Sequence, residues 1–456
     1  MSVPLLNGAL IDLDITDVAF GGAGVARHHD FVVMVPRSAP GDRLRVRVLA
    51  THPTYAEGRI EAILDPSADR IAPACMHFPA CGGCAYQHVT SSRHTEIKAR
   101  QVRETLRRLG GLRDVQVLEP IAAPSSYAYR NHIELTPLRD SEGRPRLGYH
   151  AADDPATIFP VSECPIARPV LEKLRQRLDD LLRLSSIRPF DMSTGRGYLR
   201  RVVLRSSVRD ETLLEFWTTT RNPQPLVPLL EGLRRHPGLR GIVQIVHRGS
   251  TREPRRAPSL LRGKPFLREE LLGLKLDIPA GSFAQTHPAM SGALYEEALG
   301  ALGEVRGEAC LDLFCGAGAL SILMERRGAR EVIGVEVDPA GAQAASNNAR
   351  RAGCTHCRFV HAEAGKTLEG LGPPLTGGAF SRAILNPPRS GLKTRTLQQL
   401  VSLKPKRLVY VSCNPATLAR DLRRLVDSGY TLEHVRPLDL FPQTAHVETV
   451  AALSRD

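Results

Sequence analysis

The sequence predicts an α/β protein in three parts: a small all-β barrel, a mixed α+β middle, and a C-terminal doubly wound parallel sheet. Three observations predict it. The first part is short β-branched segments between glycine and proline turns. After about residue 285, short buried strands alternate with helices, the pattern of a parallel sheet with its ligands at the carboxyl ends of the strands. Between the two, strands and helices mix without a fixed period.

Length and composition agree with three parts. A chain of 456 residues suits about three domains, expected at 1–67, 68–270 and 271–456. With 42% hydrophobic and 24% charged residues it can bury ordinary cores, which excludes wholesale disorder, collagen-like repeats and a disulfide scaffold. No apolar run approaches the roughly 18 residues that span a bilayer, and the start lacks a basic segment followed by an apolar one. A cytoplasmic, soluble protein with no membrane partner is expected.

In order along the chain, LIDLDITDVAF, DFVVMVP, DRLRVRVLAT and YAEGRIEAIL read as barrel strands, closed by Asp65-Pro66-Ser67. A cysteine loop follows, then the helical pattern SSRHTEIKARQVRETLRRLGG, with Ser91 or Ser92 as cap and Gly110-Gly111 as stop. The middle holds the strands YAYRNHIELTPL, YLRRVVLRSSV, TLLEFWTTT and GIVQIVH and the helix PVLEKLRQRLDDLLRLSS. Charge is 61 Lys plus Arg against 48 Asp plus Glu, a net of +13. The excess thickens from Arg240 to Arg268, through Arg248, Arg252, Arg255, Arg256, Arg262 and Lys264. Such a cluster suits a phosphate-binding face, since nucleic-acid affinity comes largely from Lys and Arg neutralising phosphates. A solvated arginine-rich loop is the plainer alternative.

In the C-terminal part, LDLFCGAGAL runs from a buried strand through a glycine turn into a helix. Gly316 and Gly318 allow close backbone approach to a ligand. The next strand ends in Glu336, where a carboxylate can accept both hydroxyls of a ribose. A dinucleotide site wants a third glycine where Ser321 stands, so the pattern favours S-adenosylmethionine over a pyrophosphate cofactor. AILNPPRSGL follows a later strand, and its two prolines stiffen a platform for a flat substrate. Together these loops point to a methyltransferase acting on a base or amide.

VYVSCNPATLARDL places Cys413 between a strand end and a helix N-terminus, where positive potential favours a thiolate. C5 of a pyrimidine is a poor nucleophile, but thiolate addition at C6 makes an enolate that can attack a sulfonium methyl. A base must then remove the C5 proton, and PLDLFPQTAHVETVAAL offers Glu448, with His446 as second choice. A buried core cysteine is the rival reading for Cys413.

The chain has nine cysteines, and without an export signal disulfides are not expected. Cys75, Cys81 and Cys84 with Cys164, which precedes Pro165, make a four-thiolate set that suits a [4Fe-4S] cluster or a tetrahedral zinc. Cys354 and Cys357 lack a second pair nearby and read as unligated loop cysteines.

These residues resemble the RNA uracil-5-methyltransferases, in particular the iron-sulfur branch that makes 5-methyluridine in large-subunit ribosomal RNA. The likeness spans nearly the whole chain: GGAGVAR and DFVVMVP as in a TRAM RNA-binding barrel, the three-plus-one cysteines, GSFAQTHP, LDLFCGAGA, GVEVD, NPPRSG, VSCNPATLARD and FPQTAHVE. It implies a class I, Rossmann-like S-adenosylmethionine methyltransferase domain at 271–456, a monomer, RNA as partner with 23S rRNA foremost, and a [4Fe-4S] cluster rather than zinc. It further implies Cys413 as nucleophile, Glu448 as base, and Gln285, Phe314, Glu336 and Glu363 as contacts near cofactor and base. Three positions depart from the family pattern: His287 stands for Asn, Ala319 for a polar residue, and Asn386 for the usual Asp of Asp-Pro-Pro-Arg. Asn386, in the cofactor–base pocket, still accepts through its oxygen but also donates. It therefore leaves open cytosine as the base and, with Ala319, a non-catalytic RNA-binding factor on the same fold; a tRNA uridine is the alternative target.

Overall fold

The computed structural model describes residues 5–247, 257–366 and 380–455. Six strands open the chain: β1 (Leu10–Asp14), β2 (Asp17–Val18), β3 (Ala23–His28), β4 (Phe31–Pro36), β5 (Arg43–Thr51) and β6 (Tyr55–Asp65). They form one sheet in the order β1-β5-β6-β4-β3-β2. Alternate residues of β5 point inward, so Leu44 and Val46 join Leu13, Ile15, Ala26, Val33 and Val35 in a small core.

Helix α1 (Ser91–Leu109) begins after Thr90 rather than after Ser91 or Ser92, and stops at Gly110. It is followed by β7 (Gln116–Val117), β8 (His132–Arg139), β9 (Pro145–His150), β10 (Ile158–Pro160), α2 (Pro169–Arg183), β11 (Leu199–Ser206), β12 (Thr212–Thr218), α3 (Val227–Gly232), β13 (Leu239–Val246) and β14 (Ser259–Gly263). Seven of these strands make the central sheet, in the order β10-β9-β8-β11-β12-β13-β14. The apolar stripe of α2, Leu171, Leu174, Leu178 and Leu182, packs on it. A hairpin of β15 (Phe266–Leu271) and β16 (Leu274–Pro279) leads out.

The last part comprises α4 (Pro288–Leu302), β17 (Ala309–Leu313), α5 (Ala319–Arg326), β18 (Glu331–Glu336), α6 (Pro339–Arg351), β19 (Cys357–His361), β20 (Arg382–Leu385), α7 (Thr394–Leu403), β21 (Arg407–Ser412), α8 (Pro415–Asp427), β22 (Thr431–Leu438) and β23 (Glu448–Ser454). The sheet order is β19-β18-β17-β20-β21-β23-β22-β7, with β19 through β21 parallel and β23 antiparallel to both neighbours. Both faces are covered, so successive strand residues feed two cores. Val409 and Val411 face α4, α5 and α6, while Leu408 and Tyr410 face α1 and α8. Strand order reverses between β17 and β20, which opens a crevice at their carboxyl ends.

One placement differs from the expected division at 270. Val102 and Leu106 of α1 pack in the core of the C-terminal sheet, and β7 is its eighth strand, paired with His434 and Val435 of β22. The amphipathic face of α1 was legible in the sequence; which sheet would cover it was not. No described helix is long and apolar enough to cross a membrane.

Candidate active site

Two strand ends bring Cys413 and Glu448 together. Antiparallel pairing of β21 with β23 runs from Arg407 opposite Ser454 to Ser412 opposite Thr449, so the next position sets Cys413 against Glu448. Cys413 then meets Asn414, whose side chain caps α8 by accepting from Ala416 N at 3.0 Å. Glu448 is buried, and burial pushes its carboxyl up to about 8, with Arg389 pulling the other way. Burial also pushes the Cys413 thiol up, as does Glu448, while charge and a hydrogen bond from Arg389 oppose the rise. The helix N-terminus therefore does not by itself make a thiolate here.

Arg389 is the residue that sequence reasoning passed over, although it lies in the NPPRSG segment. Its carbonyl accepts from Asn414 Nδ2 and Thr417 Oγ1, both at 3.1 Å, which ties this loop to the start of α8. Its Nη2 lies 3.2 Å from His446 Nε2. Burial first, then the Arg389 charge, lowers His446 to about 4, so its ring is neutral at pH 7 and Nε2 accepts. That lone pair is engaged, so His446 is not a free proton acceptor, whereas the Glu448 carboxyl becomes one where it ionises, near pH 8.

A cavity at the β17–β20 crevice gathers Gln285, Phe314, Gly316 and Asn386, together with Asp312 and Tyr295. Asp312 ends the apolar run of β17 and is wholly buried. Its Oδ2 accepts from Ser321 Oγ at 2.6 Å, its Oδ1 has no hydrogen-bond partner in the protein, and burial raises it to about 7. A charged residue inside an otherwise apolar strand was the signal for it. Phe314 and Gly316 both have left-handed backbone, at φ 66° and 56°.

Three expected cofactor contacts do not line this cavity. Gly318 is closely packed: a Cβ there would lie 2.9 Å from Ala345 Cβ and 3.0 Å from the Phe359 ring. Glu336 adjoins the cavity through the turn, its carboxylate accepting from Gly316 N at 2.9 Å and Asp338 N at 2.8 Å. Glu363 is half-buried and ion-paired with Lys393 at 2.5 Å, which also lowers its carboxyl. A lysine thirty residues downstream gave no sign of this pairing.

Cys75, Cys81, Cys84 and Cys164 all line one cleft of about 600 Å³, and Arg389, Phe441 and His446 line it as well. Burial raises Cys84 to about 12 and Cys164 to about 11. Gln87 spans two of the cysteines, donating from Nε2 to Cys84 Sγ at 3.4 Å and accepting from Cys75 N at 3.0 Å. Among the described residues no group of three or more His, Cys, Asp or Glu side chains is arranged to hold a metal ion. Cys354 and Cys357 flank a loop whose Thr355 and His356 amides donate to Glu325. Of the arginine cluster, Arg248, Arg252, Arg255 and Arg256 lie outside the described residues. Within it, Arg240 pairs with Glu211 and Arg268 with Asp277.

Comparison with known proteins matches this architecture. Residues 273–456 match the family description tRNA (uracil-5-)-methyltransferase, and residues 4–60 match the TRAM domain. An uncharacterised RNA methyltransferase of Halalkalibacterium halodurans is 32% identical over 99% of this chain and 98% of its own. One of Thermosynechococcus vestitus is 35% identical, covering 98% of each chain. Among solved structures, the Pyrococcus abyssi tRNA (uracil-54, C5)-methyltransferase in complex with S-adenosyl-L-homocysteine superposes with a TM-score of 0.74 at 27% identity, covering 97% of this chain and 99% of that one. The chain therefore belongs to the tRNA (uracil-5-)-methyltransferase family of RNA methyltransferases and carries a TRAM domain at its N-terminal end.

Proposed function

We propose that this protein transfers a methyl group from S-adenosylmethionine to C5 of a uridine in RNA through a covalent adduct between Cys413 and C6. The observation that carries it is the meeting of Cys413, Arg389 and Glu448 beside the Asp312 cavity. The Cys413 thiol gives its proton to solvent, Arg389 stabilises the resulting thiolate, and Sγ then adds to C6 as the C5=C6 electron pair shifts into an enolate that makes C5 nucleophilic. When bound, the cofactor supplies an electrophilic sulfonium methyl for C5. Glu448, once ionised, takes the C5 proton; the C6–S bond then breaks, C5=C6 re-forms and the thiolate departs.

The cavity fits that cofactor. The orphaned Asp312 Oδ1 is an acceptor for the ammonium of an amino-acid tail, and a buried carboxylate without such a partner is costly. Gln285, Phe314 and Gly316 form the surrounding wall, and Glu336 retains lone pairs for ribose hydroxyls. Asn386 accepts the uracil N3 proton through its side-chain oxygen.

Cys75, Cys81, Cys84 and Cys164 would hold a [4Fe-4S] cluster. The four line one cleft and supply the four thiolates such a cluster takes, and the motif resemblance favours it over the tetrahedral zinc that four thiolates also suit. The TRAM barrel and the cysteine-bearing middle would bind RNA, in a cytoplasmic monomer. The motif resemblance favours 23S rRNA as target, and the Pyrococcus relative acts on tRNA.

Mass-spectrometric mapping of modified nucleosides in RNA from cells with and without the protein tests this. The expected result is loss of one 5-methyluridine from large-subunit rRNA. Loss from tRNA corrects the target, a lost 5-methylcytidine corrects the base, and no lost methyl group supports a non-catalytic factor.

A further inference from the structure

The segment that delivers Glu448 is held from outside. Three consecutive carbonyls, those of Phe441, Pro442 and Gln443, each accept from a residue more than 300 positions earlier in the chain. Lys98 Nζ donates to Phe441 O at 2.9 Å, and Tyr129 Oη donates to Pro442 O at 2.9 Å. Ala85 N and Tyr86 N both donate to Gln443 O, at 2.8 and 3.0 Å. Ala85 is bonded directly to Cys84. Lys98 also pairs with Asp439 Oδ1 at 2.6 Å, with the two side chains 1% and 5% exposed.

Gln443 is buried and left-handed, at φ 67°. A non-glycine residue persists in that region only where its surroundings over-determine it. Here those surroundings are the cysteine loop, α1 and the segment that precedes β8. The next residues, through His446 and its contact with Arg389, end at Glu448. By contrast, no donor of this set reaches the Asp312 cavity.

We propose that the cysteine loop, Lys98 and Tyr129 form a brace on residues 439–444 that positions Glu448 for C5 proton removal. This rests on the covalent reading above. Slackening the brace slows elimination and product release, while thiol addition, methyl transfer and cofactor binding continue. Any disturbance of the cysteine loop reaches catalysis through the same carbonyls, so Lys98, Tyr129 and Gln443 are positioning residues.

The test is Tyr129→Phe, which removes one donor but keeps the ring that stacks on His287 with centroids 4.6 Å apart. Lys98→Arg, which keeps the charge but displaces its donor, is the second variant. For each, three quantities are measured: turnover on unmodified RNA, the fraction of protein in a denaturation-resistant RNA adduct, and the affinity for S-adenosylhomocysteine. The brace predicts turnover about tenfold lower, part of what a positioned base contributes, a severalfold rise in trapped adduct, and unchanged affinity. Lower turnover without adduct, affinity that falls in step with turnover, or unchanged turnover in both variants overturns it. Cys413→Ala in the same assay separates the two readings: adduct persisting there contradicts the covalent mechanism itself, whatever the brace does.

Discussion

Asp312 and Glu448 are buried carboxyls near the same crevice of one sheet, and burial raises both, to about 7 and about 8. Their neighbours differ. Asp312 accepts from the Ser321 hydroxyl, and its other oxygen has no hydrogen-bond partner in the protein. Glu448 faces a thiol and a guanidinium across a strand pair. Burial in both places thus suits the two roles proposed: a carboxylate completed by the cofactor's ammonium at Asp312, and one that gains and loses a proton at Glu448. Tyr295 of α4 lies near both, and their charges add to the burial that raises its hydroxyl.

The largest difference between the two should appear in Glu448→Gln. Turnover should fall by about 10²–10⁴, the range a positioned base contributes. Adduct should build up on ordinary RNA, seen as a protein–RNA band that survives denaturation. Asp312→Asn should act earlier and more weakly, lowering cofactor affinity by roughly 10–100-fold, as loss of a hydrogen bond to a charged group does. Calorimetry with S-adenosylhomocysteine measures it, and turnover at saturating cofactor should change little.

A pH series sharpens the contrast. Glu448 acts as a base only when ionised, so turnover should rise with pH and level off above about 8. Arg389 lowers this carboxyl, so Arg389→Gln should move the rise to higher pH. Stability runs the other way. The fold favours the neutral form, so this contribution is complete below the usual 4.5 and is lost as pH rises through about 8. Melting temperatures of wild type and Glu448→Gln should therefore diverge as pH rises from about 4.5 to about 8 and stay apart above that, with the variant the more stable.

The cysteine cleft should produce the smallest effect on cofactor binding. Protein purified without oxygen should be brown, with broad absorption near about 400 nm that Cys81→Ser abolishes, because thiolate-ligated iron has charge-transfer bands and zinc has none. RNA affinity should fall more than cofactor affinity. One equivalent of zinc and no iron would contradict the cluster.

The crevice loops were readable from sequence because their chemistry is local. LDLFCGAGAL and VSCNPATL each carry a strand end, a turn and a helix start within about ten residues, and NPPRSG directly follows a strand end. What could not be read depends on residues far apart. The β21–β23 register that pairs Cys413 with Glu448 is set by strand packing, and so is the capture of α1 and β7 by the C-terminal sheet. The packing demand at Gly318 was hidden too, since its missing Cβ makes room for Phe359 of β19, two strands away from β17. Arg389 was visible as a residue but not as the group between Cys413 and His446, since that role needs three loops in place.

The most direct test of the Cys413–Glu448 site uses RNA containing 5-fluorouracil. The target base must leave its stack for Sγ to reach C6, and fluorine at C5 cannot be removed as a proton. Wild-type protein with S-adenosylmethionine should therefore stop as a covalent, methylated protein–RNA adduct detectable by denaturing electrophoresis and mass spectrometry, while Cys413→Ala should form none. Methylation retained by Cys413→Ala, or no adduct from wild type that binds the fluorinated RNA, would contradict the covalent mechanism.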